Sequence, residues 1–140
     1  MDIKEKVQHT VKKYNTRNPY ELAERMGIII HRCELGKIRG YYYYAYRIKQ
    51  IFLNCNLSKE QENFVLAHEI GHSVLHPTAN TPFLKESTFL SVDKMELEAN
   101  KFAMELLLPD AELHQYQDLT LDQLSRMLGY NKFLIELRLK

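Results

Sequence analysis

The sequence predicts an α+β fold, in which a small, twisted, mainly antiparallel three-stranded sheet packs on one long helix and further helices lie at both ends. Two observations support this fold class. Apolar residues recur at helical spacing near both ends of the chain. Between residues 28 and 54, β-branched and aromatic runs alternate with glycines. The length of 140 residues and the apolar content of 45% fit one globular domain with its own core.

This single domain, residues 1–140, divides into three parts. Residues 1–57 should supply the N-terminal helices and the sheet. In that part we predict helices over residues 2–14 and from Asn18 to Gly27, because Asn18 can cap a helix that Pro19 begins. The expected strands are Ile28–Ile30, Tyr41–Tyr44 and Ile51–Leu53, with a polar turn at 47–50. Alternation along a strand would place two of the four tyrosines in the core.

Residues 58–109 should form two helices, and residues 110–140 a C-terminal helical pair. Ser58–Gln61 is a capping box for a helix that runs to about Leu75, and Asp93–Glu96 is another for a helix that Pro109 ends. A loop covers residues 77–91. Thr120 and Asn131 are predicted to cap the helices 121–128 and 132–139.

Composition and charge limit the class of protein. The net charge of +1 argues against a surface that binds nucleic acid as a whole, although 11 of the 19 basic residues lie within residues 1–50. No run of 18 apolar residues and no signal-peptide core are present. We therefore expect a cytoplasmic protein with no membrane partner, in which Cys33 and Cys55 are reduced core thiols.

The stretch AHEIGHSVLH, residues 67–76, contains a candidate metal site. His68 and His72 are four residues apart, so a helix projects both imidazoles from one face, where they can bind one ion. Glu69 lies about 100° around the helix from His68 and is placed to act as a general base on a water molecule. His76 is too far along a straight helix to share the ion, and we expect it to support the site or end the helix.

A third ligand is predicted in MELEANKFAMELLLP, residues 95–109. On a helix, Glu96 faces the same way as Asn100 and the apolar residues, so its carboxylate needs a partner such as a metal ion. Asn100 can hydrogen-bond the second nitrogen of a ligating histidine. The opposite face should be solvated, and it carries Lys94, Glu98, Lys101 and Glu105.

These two motifs together resemble the ImmA/IrrE metallopeptidases, a zincin group of phages, mobile elements and bacterial stress systems. The resemblance rests on H-E-x-x-H at residues 68–72 and on E-x-x-A-N-x-F-A-x-x-L-L-x-P at residues 96–109, and it is thinner outside residues 18–109. It implies a sheet whose edge strand lies over the active-site helix. It also implies a substrate class, the helix-turn-helix repressors, as protein partners.

The residues and the resemblance together predict a zinc peptidase. His68, His72 and Glu96 would hold Zn²⁺, or another divalent ion such as Mn²⁺, and Glu69 would move the proton from water to the leaving amine. An extended substrate would pair with an exposed sheet edge, for which we predict Lys49–Asn54.

Two other classes of function stay open at this point. The helices 121–128 and 132–139 have helix-turn-helix spacing, but residues 110–140 carry five acidic and four basic side chains, a poor footprint for phosphates. Alternatively, the chain is a metal-dependent binding module that sequesters its partner without cutting it. Glu69 argues against this module, because a purely structural site does not need an acid beside its ligands.

Overall fold

Helices occupy both ends of the chain and a sheet lies between them. The structure, a computed structural model, describes residues 1–79 and 93–140 and the backbone of residues 82 and 83, so most of the loop predicted for 77–91 lies outside the described residues. In chain order the elements are α1 (Ile3–Tyr14), α2 (Pro19–Arg25), β1 (Ile29–Cys33), β2 (Gly40–Ala45), β3 (Ile48–Asn54), α3 (Lys59–Leu75), β4 (Pro82–Phe83), α4 (Lys94–Leu107), α5 (Asp110–His114), α6 (Leu121–Leu128) and α7 (Lys132–Leu139).

The sheet is small and mixed, and the α+β class is confirmed. Its strand order is β1-β3-β2-β4, with β1 parallel to β3 and β2 antiparallel to both of its neighbours. β3 therefore lies inside the sheet, and the prediction that Lys49–Asn54 forms an exposed edge is wrong. Both sides of β3 are hydrogen-bonded, to β1 on one side and to β2 on the other.

The turn between β2 and β3 is tighter than the predicted polar turn at residues 47–50. It consists of Tyr46 and Arg47, which adopt φ angles of 53° and 62°, and Ile48 already pairs with Ala45. A two-residue turn with positive φ at both positions matches the right-handed twist of the strands that it joins. The cost is a left-handed backbone at two residues that have side chains.

The tyrosines of β2 follow the alternation of a strand, as predicted. Tyr42 is completely buried and its hydroxyl donates to the Pro77 carbonyl at 2.5 Å, whereas 40% of Tyr43 is exposed. Gly40, on the same face as Tyr42, has space for no side chain: a Cβ there would lie 2.8 Å from the Phe52 carbonyl oxygen and 2.9 Å from Val65. The inward face of β2 therefore lies directly against α3.

α7 packs on α4 and α6 packs on α7, and the contact with α4 changes one prediction. α7 buries Leu134 and Ile135 against the core, and its Arg138 is only 5% exposed. Arg138 pairs with Glu105 at 3.3 Å, so Glu105 is buried and does not lie on a solvated face. Helical phase alone missed this contact because the partner comes from a distant part of the chain.

Three smaller features complete the fold. A short helix, α5, follows Pro109 and was not among the predicted elements. Both cysteines are free as predicted, but Cys55 is exposed and Cys33 half-buried, so neither is a core thiol. Within the described ranges, no helix has the length and apolar content that crossing a membrane requires.

Candidate metal centre

α3 buries the whole H-E-x-x-H motif. Ser58 caps the helix through the predicted capping box, with its side chain accepting from the Gln61 N–H and the Gln61 side chain accepting from the Ser58 N–H. The helix is buried without interruption from residue 64 to residue 73. His68 and His72 project together toward α4, as their spacing predicts, and their ring centroids lie 4.8 Å apart.

α4 brings Glu96 to both histidines. Its carboxylate lies between the two rings, with Oε1 2.7 Å from His72 Nε2 and Oε2 3.2 Å from His68 Nε2. The predicted capping box is only half formed. Asp93 accepts from the N–H groups of Met95 and Glu96, but the Glu96 side chain faces the histidines and does not reach back to the cap.

The three side chains offer a donor set that suits a metal ion. His68, His72 and Glu96 can each present one ligand atom, and these atoms all lie within 4.8 Å of one another. Burial lowers the pKa of His72, which favours the neutral imidazole that a metal requires. Burial of Glu96 would raise its pKa, but hydrogen bonds from His68 and His72 outweigh that effect and lower the pKa to about 2. Its ionised form, the metal-binding form, is therefore favoured.

Each histidine has a second partner on the side away from Glu96. His68 Nδ1 lies 2.8 Å from Asn100 Oδ1, the contact predicted for Asn100. His72 Nδ1 lies 3.1 Å from His76 Nδ1, and His76 Nε2 lies 3.0 Å from Glu98 Oε1. These contacts leave the Nε2 atoms of His68 and His72 facing the same carboxylate.

Glu98 is the residue of this group that sequence reasoning misplaced. We predicted that Glu98 faces solvent, but its side chain is 34% exposed and bonded to His76. The reason is the end of α3: His76 caps it with φ −135° and ψ 58°, outside helical geometry. A helical wheel does not apply to such a residue. The available signal was His76 itself, which precedes Pro77 and therefore stands where a helix must end.

Glu69 is buried beside the two histidines without a fixed partner. Among the described residues, neither of its carboxylate oxygens has a hydrogen bond. Burial raises its pKa well above the ordinary value, and the negative charge of Glu96 raises it further. The Tyr42 backbone N–H faces the carboxyl and lowers its pKa, although its geometry falls short of a hydrogen bond. A carboxyl with a raised pKa and free lone pairs is suited to accepting a proton.

Gly71, inside the motif, allows α3 and α4 to approach closely. A Cβ at this position would lie 3.1 Å from the Cβ of Phe102 and 3.2 Å from the carbonyl oxygen of Ala99. Any side chain would therefore press on the helix that carries Glu96. The glycine sets the separation between the histidines of one helix and the carboxylate of the other.

The comparisons with known proteins agree with this geometry. A profile of the Peptidase M78 family, described as an IrrE N-terminal-like domain, matches residues 23–140. The chain belongs to this family. It is 30% identical over 141 residues to Metallopeptidase ImmA of Bacillus subtilis (strain 168), covering 98% of this chain and 83% of the relative.

A phage protein is a second relative. The chain is 49% identical over 139 residues to a protein named uncharacterized immunity region protein 2 of Bacillus phage phi105, covering 97% of this chain and 88% of the relative. The predicted resemblance to ImmA/IrrE metallopeptidases is thus confirmed at the level of the family. Membership of this peptidase family implies a metal, and the group formed by His68, His72 and Glu96 could bind it.

Proposed function

We propose that the protein is a zinc-dependent endopeptidase that cleaves another protein, a helix-turn-helix repressor of a phage, mobile element or stress regulon. The observation that carries this proposal is the combination of two histidines and a glutamate from two helices with one further buried glutamate that has no hydrogen-bond partner among the described residues. A structural zinc site usually has four protein ligands and does not need an additional acid, whereas these three ligands would leave a position for water. The extra carboxyl, Glu69, favours hydrolysis.

The donor set fits Zn²⁺ and would tolerate Mn²⁺. His68 and His72 would present Nε2 and Glu96 a carboxylate oxygen, the mixed set of three ligands that is usual for a catalytic zinc. A bound ion of this kind supplies Lewis acidity, which makes water more acidic and a peptide carbonyl more electrophilic.

Side chains of the protein would transfer the proton and orient a metal ligand. Glu69 accepts the proton of the attacking water at a carboxylate oxygen and donates it to the nitrogen of the leaving amine. Its burial favours the neutral acid after the first transfer, because the protonated form carries no charge into an apolar site. Asn100 holds the ring of His68 through Nδ1 and so orients this ligand.

An extended substrate would bind along β2 and not along Lys49–Asn54, beside the part of β2 that no described residue of β4 covers. On its outer side β4 pairs with Gly40 and Tyr41, and the described part of β4 does not continue beyond them. Tyr42, the next residue, faces Glu69 with its backbone N–H. A peptide that adds as a strand along β2 would therefore run past the proton-transfer group.

The substrate class rests on the relatives. One relative carries the name Metallopeptidase ImmA, and the other is an immunity region protein of a phage. A peptidase encoded with phage immunity functions has a natural target in the repressor that maintains immunity. Repressors act on DNA, so we place the reaction in the cytoplasm.

The decisive experiment is incubation with the repressor encoded nearest to this gene. We expect the zinc-loaded parent to produce two fragments whose masses sum to the repressor plus one water. The Glu69→Gln protein should bind zinc and produce none. If the parent binds the repressor and leaves it intact under conditions in which zinc occupancy is complete, the protein is a sequestering module and not a peptidase.

A further inference from the structure

We propose that His76 and Glu98 are a pair of positioning residues that fix the tautomer and orientation of the ligand His72. The inference rests on the proposed function, since it assumes that His72 binds a metal through Nε2. It assigns a role to two residues outside the group formed by His68, His72 and Glu96.

The hydrogen bonds define one arrangement of protons. If His72 Nε2 gives its lone pair to a metal, the proton of the neutral ring must lie on Nδ1. Its neighbour at 3.1 Å is His76 Nδ1, which must then accept, so the proton of His76 lies on Nε2. That N–H points at Glu98 Oε1, 3.0 Å away, and a carboxylate only accepts. Every donor in the chain Glu98–His76–His72 meets one acceptor.

The opposite arrangement is unfavourable. If His76 donated from Nδ1, its neutral ring would present the Nε2 lone pair to the Glu98 carboxylate, and two acceptors would face each other at 3.0 Å. The charge of Glu98 therefore determines the tautomer of His76, and His76 determines that of His72. His76 therefore transmits the effect of the Glu98 charge to the tautomer of His72 without itself binding the metal.

The two histidine ligands are consequently supported in different ways. With Nε2 on a metal, His68 would donate from Nδ1 to the neutral amide oxygen of Asn100, 2.8 Å away. His72 is linked through His76 to a carboxylate, which makes its ring the more electron-rich donor. The side chain of His76 is 13% exposed, so its contact with His72 is largely shielded from water, whereas that of Glu98 is 34% exposed.

A double-mutant cycle on zinc affinity tests the proposal without any substrate. The dissociation constant is measured by competition with a chromophoric chelator for the parent, Glu98→Gln, His76→Phe and the double variant. We expect each single change to weaken binding by roughly 10-fold. The double variant should bind as weakly as His76→Phe, because Glu98 acts only through His76. Glu136→Gln, which removes an exposed carboxylate from α7, should bind like the parent.

Two outcomes of the cycle would overturn the proposal. If the two losses multiply in the double variant, Glu98 acts on the ion by direct Coulomb attraction. If neither single variant weakens zinc binding while the parent binds zinc, the pair is only structural. The proposed function fails separately, when the parent itself binds no zinc.

Rescue and spectroscopy provide a readout that altered folding does not produce. His76→Asn keeps an acceptor close to the position of Nδ1, so it should recover much of the affinity that His76→Phe loses. Nitrogen-15 NMR of the imidazoles in the zinc-loaded parent should show His76 protonated at Nε2, whereas zinc-loaded Glu98→Gln should show a mixture of both His76 tautomers. An unchanged His76 tautomer in zinc-loaded Glu98→Gln would contradict the proposed role.

Discussion

His72 Nε2 lies 2.7 Å from Glu96 Oε1, although 24 positions of the sequence separate the two residues. The contact joins the C-terminal half of α3 to the first turn of α4 and places a carboxylate between two imidazoles. Hydrogen bonds from His68 and His72 compensate for the burial of Glu96. The fold thus holds the three candidate ligands close together, the arrangement that a metal site requires.

We expect Glu96→Gln to weaken zinc binding by more than roughly 100-fold, because it replaces the only anionic donor of the set. Isothermal titration with zinc would measure the loss. Cleavage of the repressor should disappear together with the metal. Glu136→Gln is the matched control, since it changes the same functional group on an exposed helical surface. Full zinc occupancy in Glu96→Gln at micromolar metal would exclude Glu96 as a ligand.

Glu69→Gln should abolish cleavage and leave zinc affinity close to that of the parent. The amide has nearly the same shape as the carboxyl but cannot accept the proton of the water. The thermal midpoint should be at least as high as that of the parent, because the described residues offer the buried carboxyl no hydrogen bond that the substitution could break. Thermal unfolding followed by circular dichroism checks the midpoint. A clearly lower midpoint would mean that Glu69 has a structural partner.

Arg138→Leu should destabilise the protein by about 3 kcal/mol, because it leaves Glu105 buried without its opposite charge. The variant also loses the hydrogen bond from Arg138 to the Leu108 carbonyl at the end of α4. Urea denaturation measures the change in the free energy of unfolding. Arg126→Leu, at an exposed position of α6, should change it by less than about 0.5 kcal/mol. Equal effects of the two substitutions would show that the Arg138–Glu105 pair adds nothing.

Glu62→Gln should lower stability at neutral pH by about 0.5–1 kcal/mol, a value that allows for the exposure of Arg32. The hydrogen bond from Arg32 lowers the pKa of Glu62, and that from the Tyr20 hydroxyl contributes. A carboxyl whose folded pKa lies below its unfolded pKa stabilises the fold above the unfolded value, about 4.3, and loses that contribution as the pH falls through the folded value.

The difference between parent and Glu62→Gln should therefore be largest near pH 7 and shrink below pH 4. Urea denaturation of the metal-free proteins over this range measures it. Glu24→Gln, at an exposed position of α2, should show a smaller difference at every pH. A difference that grows toward acid would reverse the inferred sign of the pKa change.

Local signals in the sequence predicted most of the fold. The caps at Ser58, Thr120 and Asn131 place their helices correctly, because each is a contact within a few residues of the chain. Helical phase also separated Glu96 from Glu98, since the face of α4 that bears Glu96 is buried by the adjacent α3. These features depend on the residues next to them and are visible without a tertiary structure.

The predictions were wrong where a contact with a distant part of the sequence determines the position of a residue or strand. Helical spacing predicts that Glu105 lies at the surface, but the residue is buried because Arg138 of α7 pairs with it. The order of the strands depends on β1 running parallel to β3, which no local pattern indicates, so the wrong strand was assigned to the edge. Glu98 was misplaced because His76 leaves helical geometry at the end of α3. Each error concerns a long-range contact or an irregular backbone.

Gly71 has a consequence for which ions the site accepts. Since its missing side chain sets how closely α3 approaches α4, it also sets the span available between the two imidazoles and the carboxylate. Discrimination between cations of different radius would then depend partly on a residue that donates nothing to them. A methyl group at residue 71 would enlarge the opening and shift the preference toward wider ions, with every ligand still present.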